Sequence, residues 1–549
     1  MITVSFPQGN TKTSCAFGTE LSSVVKELGI AEDLCAAFYV NNKARPLSAR
    51  LSLNTILRTI PIASKDGMQI YRQTLSYLLI KASEKVLHDK KIYMGHSLGN
   101  AYYYAVSRGS TLTQDEISAM SAELQRLINA DLPITLKFMT FDEATEYFTS
   151  VDQTKTVRLL NQRCRWKIPV NKCEDFIDMY TRPLLARTSL LKAFELHPYH
   201  EGFLLRFPDS SDITKMPPFQ DSPKIFSVYY EYKNWGRIVG VYSVSKLNAM
   251  VKNKTIRDFI RINEAYQNKK LADIAEKILQ KKDKIKLVLI AGPSSSGKTT
   301  TAKRLTIQLK MLGINPIAIS LDDYYQHPDK APKDENGMPD LECLEALDVP
   351  YLNNQLLALF EGQKVTLPSY DFKTTTRKEG ATIQIGANNV LLVEGIHGLN
   401  DALTSQISHD SKFKIYVSAL TQLNIDEHIR VSTTDNRLLR RLVRDYNFRG
   451  TSAEKTISMW DSVQSGAEKH IFKFQNTTDE VFNSALDYEI SVLRFYAEPL
   501  LRGVLPNTAQ FAEAERLLDF LENFSPIAPQ YVPTQSILRE FIGESEFKY

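Results

Sequence analysis

The chain has 549 residues, of which 43% are hydrophobic and 24% charged, and its formal net charge is +4. That length is too great for a single core and predicts three or four domains of ordinary globular composition. The small charge points neither toward nor away from nucleic acid, so any basic surface has to be local.

Five scattered cysteines without a C-x-x-C pair predict reduced thiols in a cytoplasmic protein. The opening MITVSFPQGN lacks a basic segment leading into an apolar stretch, and no run of about 18 apolar residues occurs. Secretion and a membrane association are therefore not expected.

Residues 1–62 read as a small α+β unit. Ile2 to Phe6 alternates as a strand, Gln8-Gly9-Asn10 supplies a turn, and Thr11 to Phe17 is a second strand. Thr19 is the expected cap of a helix through Leu28 that stops at Gly29. Ala37 to Val40 and the segment to Pro61 complete the expected sheet. Residues 226–284 read as a connector. From Asn248 to Lys284 they are charged and helical in period, with Ile256, Phe259, Ile260, Ile262, Ala265, Leu271, Ile274 and Ile278 on the expected apolar side. A helical extension occupies 506–549.

The segment LVLIAGPSSSGKTTTAKRL carries the most chemistry. Leu287 to Ile290 reads as a buried parallel strand, Gly292 to Thr299 fits G-x-x-x-x-G-K-[ST], and Thr300 onward has helical composition. Gly292 and Gly297 are expected to let the loop turn tightly. The N–H groups of Pro293-Ser294-Ser295-Ser296 and their neighbours, where present, then face phosphates at the positive end of the helix. Lys298 reaches β- and γ-phosphates in this pattern, Thr300 closes the loop, and the Thr299 hydroxyl is the expected magnesium ligand.

Two further strands end in acids. Pro316 to Leu321 leads to Asp322-Asp323-Tyr324-Tyr325, and strand ends face the ligand in doubly wound domains. Asp322 is the expected base for an attacking hydroxyl. Asn389 to Val393 ends at Glu394, placed like a Walker-B acid to hold magnesium. His397, past the strand end, reads as structural. Arg437, Arg440, Arg441 and Arg444 follow i, i+3, i+4, i+7 and predict a one-sided helical face suited to a lid over triphosphate, with Arg437, Arg441 and Arg444 stabilising the transferred charge.

GPSSSGKTT, SLDDYY, LPSYDFKTTTR, LLVEGIHGL and DNRLLRRLVRDYNFRG resemble, in order and spacing, the uridine kinase and phosphoribulokinase family over 285–505. The resemblance implies a doubly wound parallel α/β kinase domain using ATP and Mg²⁺. It also implies that Asp322 is the catalytic aspartate, that Glu342 binds ribose hydroxyls, that Tyr370 and Arg377 lie in the nucleoside segment, and that Arg437 begins a lid helix contacting substrate. Two positions depart from the family. Thr375 stands where its pyrimidine-contacting histidine belongs, and the lid ends Arg449-Gly450-Thr451 rather than R-G-R.

The first 225 residues resemble threonyl-tRNA synthetases. Residues 1–62 are similar to the TGS module, a β-grasp domain. Residues 63–225 are similar to the α+β editing domain, through YRQTLSYLLIKASEKVLHDKKIYMGHSLGNAYYY, TLTQDEISAMSAELQRLINADLPI, FDEATEYF and FIDMYTRPLLARTSLLKAFEL. The editing signatures H-x-x-x-H and C-x-x-x-H fall on Gln73, Tyr77, Tyr180 and Leu184. Tyrosine and leucine cannot replace imidazole or thiolate as metal ligand or base. A multidomain kinase for the 5′-hydroxyl of uridine or cytidine is therefore expected, as a homo-oligomer whose front domains leave RNA contact open. A kinase for another sugar-like acceptor and an RNA-binding regulator with a P-loop switch are the alternatives.

Overall fold

The computed structural model describes the chain from Met1 to Tyr549 except residues 108–109, 334–336, 338–339, 372–373 and 387. Phe372 and Lys373 of the LPSYDFKTTTR motif thus lie outside the described residues.

The first unit is a five-stranded sheet in the order Thr11–Cys15, Ile2–Phe6, Thr55–Pro61, Cys35–Val40, Lys43–Arg45. Only the Ile2–Phe6 and Thr55–Pro61 pair is parallel. Val4, Phe38 and Leu57 point to one side and bury against Leu21, Val24 and Val25 of the helix Leu21–Glu27. Glu20, not Thr19, occupies the cap position, and the Thr19 hydroxyl instead closes the preceding turn on the Ala16 carbonyl at 2.8 Å.

The helix Lys65–Val86 follows, capped by Ser64, and with Gln114–Asn129 it packs on a core of Leu75, Leu78, Leu79, Phe203 and Leu205. Antiparallel strands Glu195–Tyr199, Gly202–Arg206, Ala101–Val106 and Ile92–Ser97 make one sheet of this region. Phe176–Met179, Lys167–Cys173 and Thr135–Thr140 make another.

Between Pro223 and Gln280 the chain forms three helices, Pro223–Ile238, Val244–Lys252 and Ile256–Gln280. The expected single helix from Asn248 is broken at Asn253 to Thr255, where Lys254 takes a left-handed φ of 62°. Nor does this region behave as a free connector. Phe259, Leu271, Ile274 and Ile278 share one core with Val288, Ile290 and Leu305 of the phosphate-loop unit. Ile262 is exposed and so is Ala265, contrary to the expected apolar side. Asn263, Glu264 and Gln267 are buried instead. The reason is Arg304, which donates to Gln267 at 2.5 Å and Asn268 at 2.8 Å and lies 3.5 Å from Glu264. A guanidinium entering the core needs acceptors there, so polar side chains displace apolar ones on that face.

The fourth sheet has five parallel strands in the order Asn315–Ser320, Asn389–Glu394, Leu287–Ala291, Lys412–Ser418, Glu480–Asn483. Leu287 to Ala291 are all buried, as a central parallel strand covered on both faces requires. The order reverses beside this strand, so the carboxyl ends of Leu287–Ala291, Asn315–Ser320 and Asn389–Glu394 open into one crevice. No helix among the described residues is long and apolar enough to cross a membrane.

Candidate active site

The loop after the central strand runs into the helix Lys298–Met311, whose first position is Lys298. Gly297 has φ of 85° and needs the conformational freedom expected of it. Gly292 is required for another reason. A Cβ there would lie 2.1 Å from the Val417 carbonyl oxygen, so the loop can cross the neighbouring strand only without a side chain. Ser295 takes the second left-handed conformation, at φ of 60°.

The loop's carbonyls are tied down from outside. Arg437 Nε donates to the Ser294 carbonyl at 3.0 Å, Arg440 Nη1 donates to that of Ser295 at 3.3 Å, and the Ser484 hydroxyl donates to that of Ser296. Arg441 Nη1 donates to the Ser294 hydroxyl at 2.9 Å. With its oxygens turned toward these donors, the loop is braced to present N–H groups to an anion at the helix start, where backbone donors lack intrahelical partners.

The arginines come from the helix Thr433–Arg449, and they do share a side. The face suited to a lid belongs to a helix anchored in the core. Leu438, Leu439, Leu442 and Val443 lie between the arginines in sequence and are fully buried. At roughly 1.5–3 kcal/mol for each such side chain, they hold the helix in the core. Arg440 is wholly buried and forms an ion pair of 2.5 Å with Glu489. Asp445, 1% exposed, collects Arg444 at 2.7 Å, Arg441 at 3.2 Å and Arg449 at 3.7 Å. Arg437 stacks over Trp460, leaves Nη2 without a partner, and burial brings its pKa down to about 10. Arg444 is spent on Asp445, whereas Arg437 and Arg441 reach the loop.

On the other side of the crevice, Glu394 ends its strand beside Ser320. The Thr299 and Ser320 hydroxyls both donate to Glu394 Oε1 at 3.2 Å. Ser320 Oγ also accepts the Asp322 N–H at 3.3 Å, fixing the turn that exposes Asp322. Burial first, then the charge of Asp322, pushes the Glu394 carboxyl up to about 7 against the pull of Lys298. A hydroxyl and a carboxylate that gains from added positive charge form a donor set suited to Mg²⁺, which takes few protein oxygens and completes its shell with phosphate and water. Thr299 and Glu394 would hold that ion.

Glu342 is packed against the helix Ala453–His470, where a Cβ on Gly466 would fall 2.8 Å from its own Cβ. Burial and Asp322 raise its pKa, opposed by Arg441 and Lys298, so these three charges lie within electrostatic reach of it. Tyr370 donates its N–H to Asp323 at 2.9 Å. Arg377 is used differently from the expected nucleoside contact. It pairs with Asp348 at 3.0 Å and donates to the Tyr324 and Tyr325 carbonyls at 3.1 Å, which makes it a brace for the segment carrying Asp322. Thr375 sits in the turn between strands Val365–Asp371 and Thr376–Ile383 with φ of 54°, rare for a β-branched residue. His397 is buried, and burial with the neighbouring His470 brings its pKa down to about 4, so its ring is neutral at pH 7.

Ser320, Asp445, Ser484, Glu489 and Glu540 complete this arrangement without having been singled out from the sequence. Only Ser320, at a strand end beside the expected base, carried a local signal.

A braced phosphate loop, a strand-end carboxylate beside its Thr299, and a second acid at the next strand end define a P-loop phosphotransferase. Residues 287–491 match the family described as phosphoribulokinase / uridine kinase. A uridine kinase of Ureaplasma urealyticum serovar 10 is 30% identical over 179 residues, which span 33% of this chain and 78% of that kinase. The chain belongs to the phosphoribulokinase / uridine kinase family, whose kinase domain implies ATP as a substrate. Its N-terminal part matches threonine–tRNA ligases. It is 27% identical to threonine–tRNA ligase 2 of Bacillus subtilis over 192 residues, 35% of this chain and 29% of the ligase. It is 25% identical to that of Symbiobacterium thermophilum over 204 residues, 36% of this chain and 30% of the ligase. The chain thus spans less than a third of these ligases. A solved structure of a possible uridine kinase from Bacillus stearothermophilus aligns with 39% of this chain and 98% of its own, at 21% identity and a TM-score of 0.26.

Proposed function

We propose that the chain is an ATP- and Mg²⁺-dependent nucleoside kinase that phosphorylates the 5′-hydroxyl of a ribonucleoside, uridine or cytidine. The observation that carries this reading is that Glu394 accepts from Thr299 of the phosphate loop and from Ser320 at 3.2 Å, and that Ser320 also fixes the turn exposing Asp322. Lys298 and Asp322 lie within electrostatic reach of both Glu394 and Glu342. A nucleotide switch needs a phosphate loop and a magnesium acid but can dispense with an exposed carboxylate poised over a second substrate.

In this reading Asp322 accepts the proton of the attacking hydroxyl as its oxygen bonds to the γ-phosphorus, and the leaving diphosphate keeps the bridging oxygen. Lys298 and the loop N–H groups hold β- and γ-oxygens, while Arg441 meets charge developing on the transferred group. Thr299 and Glu394 would hold a magnesium ion, which would supply positive charge against the phosphates. Glu342 accepts hydrogen bonds from the sugar hydroxyls.

Residues 1–62 and 63–225 are read as TGS-like and editing-like units whose chemistry is lost. The Tyr77 hydroxyl is committed to the Phe176 carbonyl at 2.9 Å, and Leu184 is 2% exposed. Neither position offers a metal ligand.

A panel of nucleosides, sugars and sugar phosphates incubated with ATP and Mg²⁺, with ADP release followed, tests the assignment. Turnover of uridine or cytidine above the ATPase background is expected. Turnover confined to a sugar or sugar phosphate would replace the acceptor, and ATP hydrolysis without transfer to any acceptor would overturn the kinase reading.

A further inference from the structure

We propose that a cavity between the N-terminal half and the kinase core binds a small triphosphate-type polyanion at a site separate from the phosphoryl-transfer centre. The cavity has a volume of about 1270 Å³, and Lys298, Asp322 and Glu394 are absent from its lining. Eleven lining residues are lysine or arginine against four aspartates or glutamates.

Much of that acid is already committed. Arg516 holds both oxygens of Asp435, at 2.8 and 2.9 Å, and Arg165 lies 3.2 Å from Asp519. Asp209 accepts from the N–H and hydroxyl of Ser211.

Of the five lining arginines without an ion pair among the described residues, Arg437 is used on the phosphate loop and Arg45 on Tyr180, which leaves three. Arg72 lies on the helix Lys65–Val86, Arg182 follows the strand Phe176–Met179, and Arg430 precedes the helix Thr433–Arg449. Among the described residues, none of the three forms an ion pair within 4.0 Å; their hydrogen-bond and ring partners are neutral groups. Arg72 stacks on Phe207 with Nε unpartnered, Arg182 donates to Gln69, and Arg430 donates to the Val431 carbonyl and stacks toward Tyr102. Burial and the neighbouring Arg516 lower the pKa of Arg182 against the pull of Asp435 and Glu513, and burial lowers that of Arg430 against Tyr102 and Asp435. Guanidinium groups gathered from separate segments, partly withdrawn from water and short of counter-charge, destabilise the empty protein and favour a bound anion.

Phosphate is the anion this geometry fits, because a guanidinium fork offers paired donors to adjacent oxygens. The cations line a concave interior rather than an outer stripe, which favours a compact polyanion over a nucleic-acid track. Tyr102 and Tyr180 add aromatic wall for a ring attached to the phosphates. Pro293 and Arg437 also line the cavity, so its occupant borders the phosphate loop.

Calorimetry on the full chain tests this, with sodium tripolyphosphate, ATP and a single-stranded RNA oligonucleotide as probes. Tripolyphosphate is expected to bind Lys298→Ala protein and to bind Arg182→Gln/Lys298→Ala and Arg430→Gln/Lys298→Ala proteins at least tenfold more weakly. ATP binding tighter than tripolyphosphate identifies a nucleotide, and equal binding identifies free polyphosphate; either upholds the site. Without ligand, the Tm of Arg182→Gln and Arg430→Gln should equal or exceed that of the parent, which a merely structural arginine would not allow. Arg72→Gln gives the same reading where a substitution at 430 disturbs packing. Absent tripolyphosphate binding, binding indifferent to all three substitutions, or RNA binding tighter than tripolyphosphate would overturn the proposal.

Discussion

The Glu540 carboxylate accepts both the backbone N–H and the hydroxyl of Thr300, at 3.2 and 2.5 Å. Tyr549 adds its hydroxyl to Thr300 at 2.9 Å, and Lys303 holds the Lys548 carbonyl. The C-terminal tail therefore places an anion at the start of the phosphate-loop helix, where a nucleotide phosphate is to bind. The two carry like charge and compete for one donor set. Glu540→Gln, which keeps the shape and removes the charge, should lower the KM for ATP several-fold with kcat little changed. An unchanged or raised KM in steady-state kinetics would mean that the tail supports the loop without competing for it.

Among the described residues, Lys298 donates to the Pro293 carbonyl at 3.4 Å and forms no ion pair, so its removal breaks none there. Lys298→Ala should lower turnover by several orders of magnitude with the Tm unchanged, because the residue acts on phosphate charge. Near-normal turnover would remove the kinase assignment.

Asp322→Asn should depress kcat far more than ATP affinity, since an amide cannot accept the hydroxyl proton. Asp322 is exposed and its turn is fixed by Ser320, so the substitution leaves the backbone in place. Collapse of ATP binding, measured with the nucleotide alone, would instead make Asp322 part of the metal site.

These roles were legible because each depends on neighbours in sequence. The strand Leu287–Ala291, the loop and the helix Lys298–Met311 follow one another, and the acids at 322 and 394 sit at the ends of apolar runs. What holds the loop rigid was not legible. Arg440 meets Glu489 across 49 positions, and Thr300 meets Glu540 across 240. Helical spacing places the arginines on one face but says nothing of which core receives Leu438 and Leu439. Nor could a charged period reveal that Arg304 enters beside Ile256–Gln280 and draws Asn263, Glu264 and Gln267 inward.

The pair His428–Asp178, 2.8 Å apart, ties the kinase core to the N-terminal half. Burial disfavours the charged ring, but Asp178, with Asp426 and Glu427, outweighs it and holds the histidine up at about 9. A histidine raised from its ordinary value near 6.5 contributes stability that is full below 6.5 and is lost as pH rises through about 9. A rise from 6.5 to about 9 corresponds to about 3 kcal/mol at 1.36 kcal/mol per pH unit. Asp426, pushed up to about 7 by burial and then Asp178, acts in the same direction. The Tm should therefore fall between pH 6.5 and 9, and the fall should shrink in a His428→Gln, Asp178→Asn double variant. A flat Tm profile for the parent over that range would dissociate the pair from stability.

The last expectation concerns the acceptor. Glu342 offers two carboxyl oxygens to the sugar hydroxyls; burial raises its pKa, and Arg441 and Lys298 oppose that rise. Thr375 offers a single short hydroxyl, already donated to the Thr374 carbonyl at 2.7 Å. Sugar recognition thus has an acidic side chain with two oxygens, while base recognition from this turn has little. A site built around a substrate hydroxyl rejects an analogue lacking it by as much as about 10⁴, whereas a weakly read edge discriminates poorly. Ribonucleosides should be preferred to 2′-deoxyribonucleosides, with uridine and cytidine within about tenfold of each other in kcat/KM. Glu342→Gln should raise the nucleoside KM and leave that for ATP unchanged. Strong preference for a deoxynucleoside, or an ATP KM that moves with the nucleoside KM, would place Glu342 outside the sugar site and leave the phosphate machinery as the part of the assignment still standing.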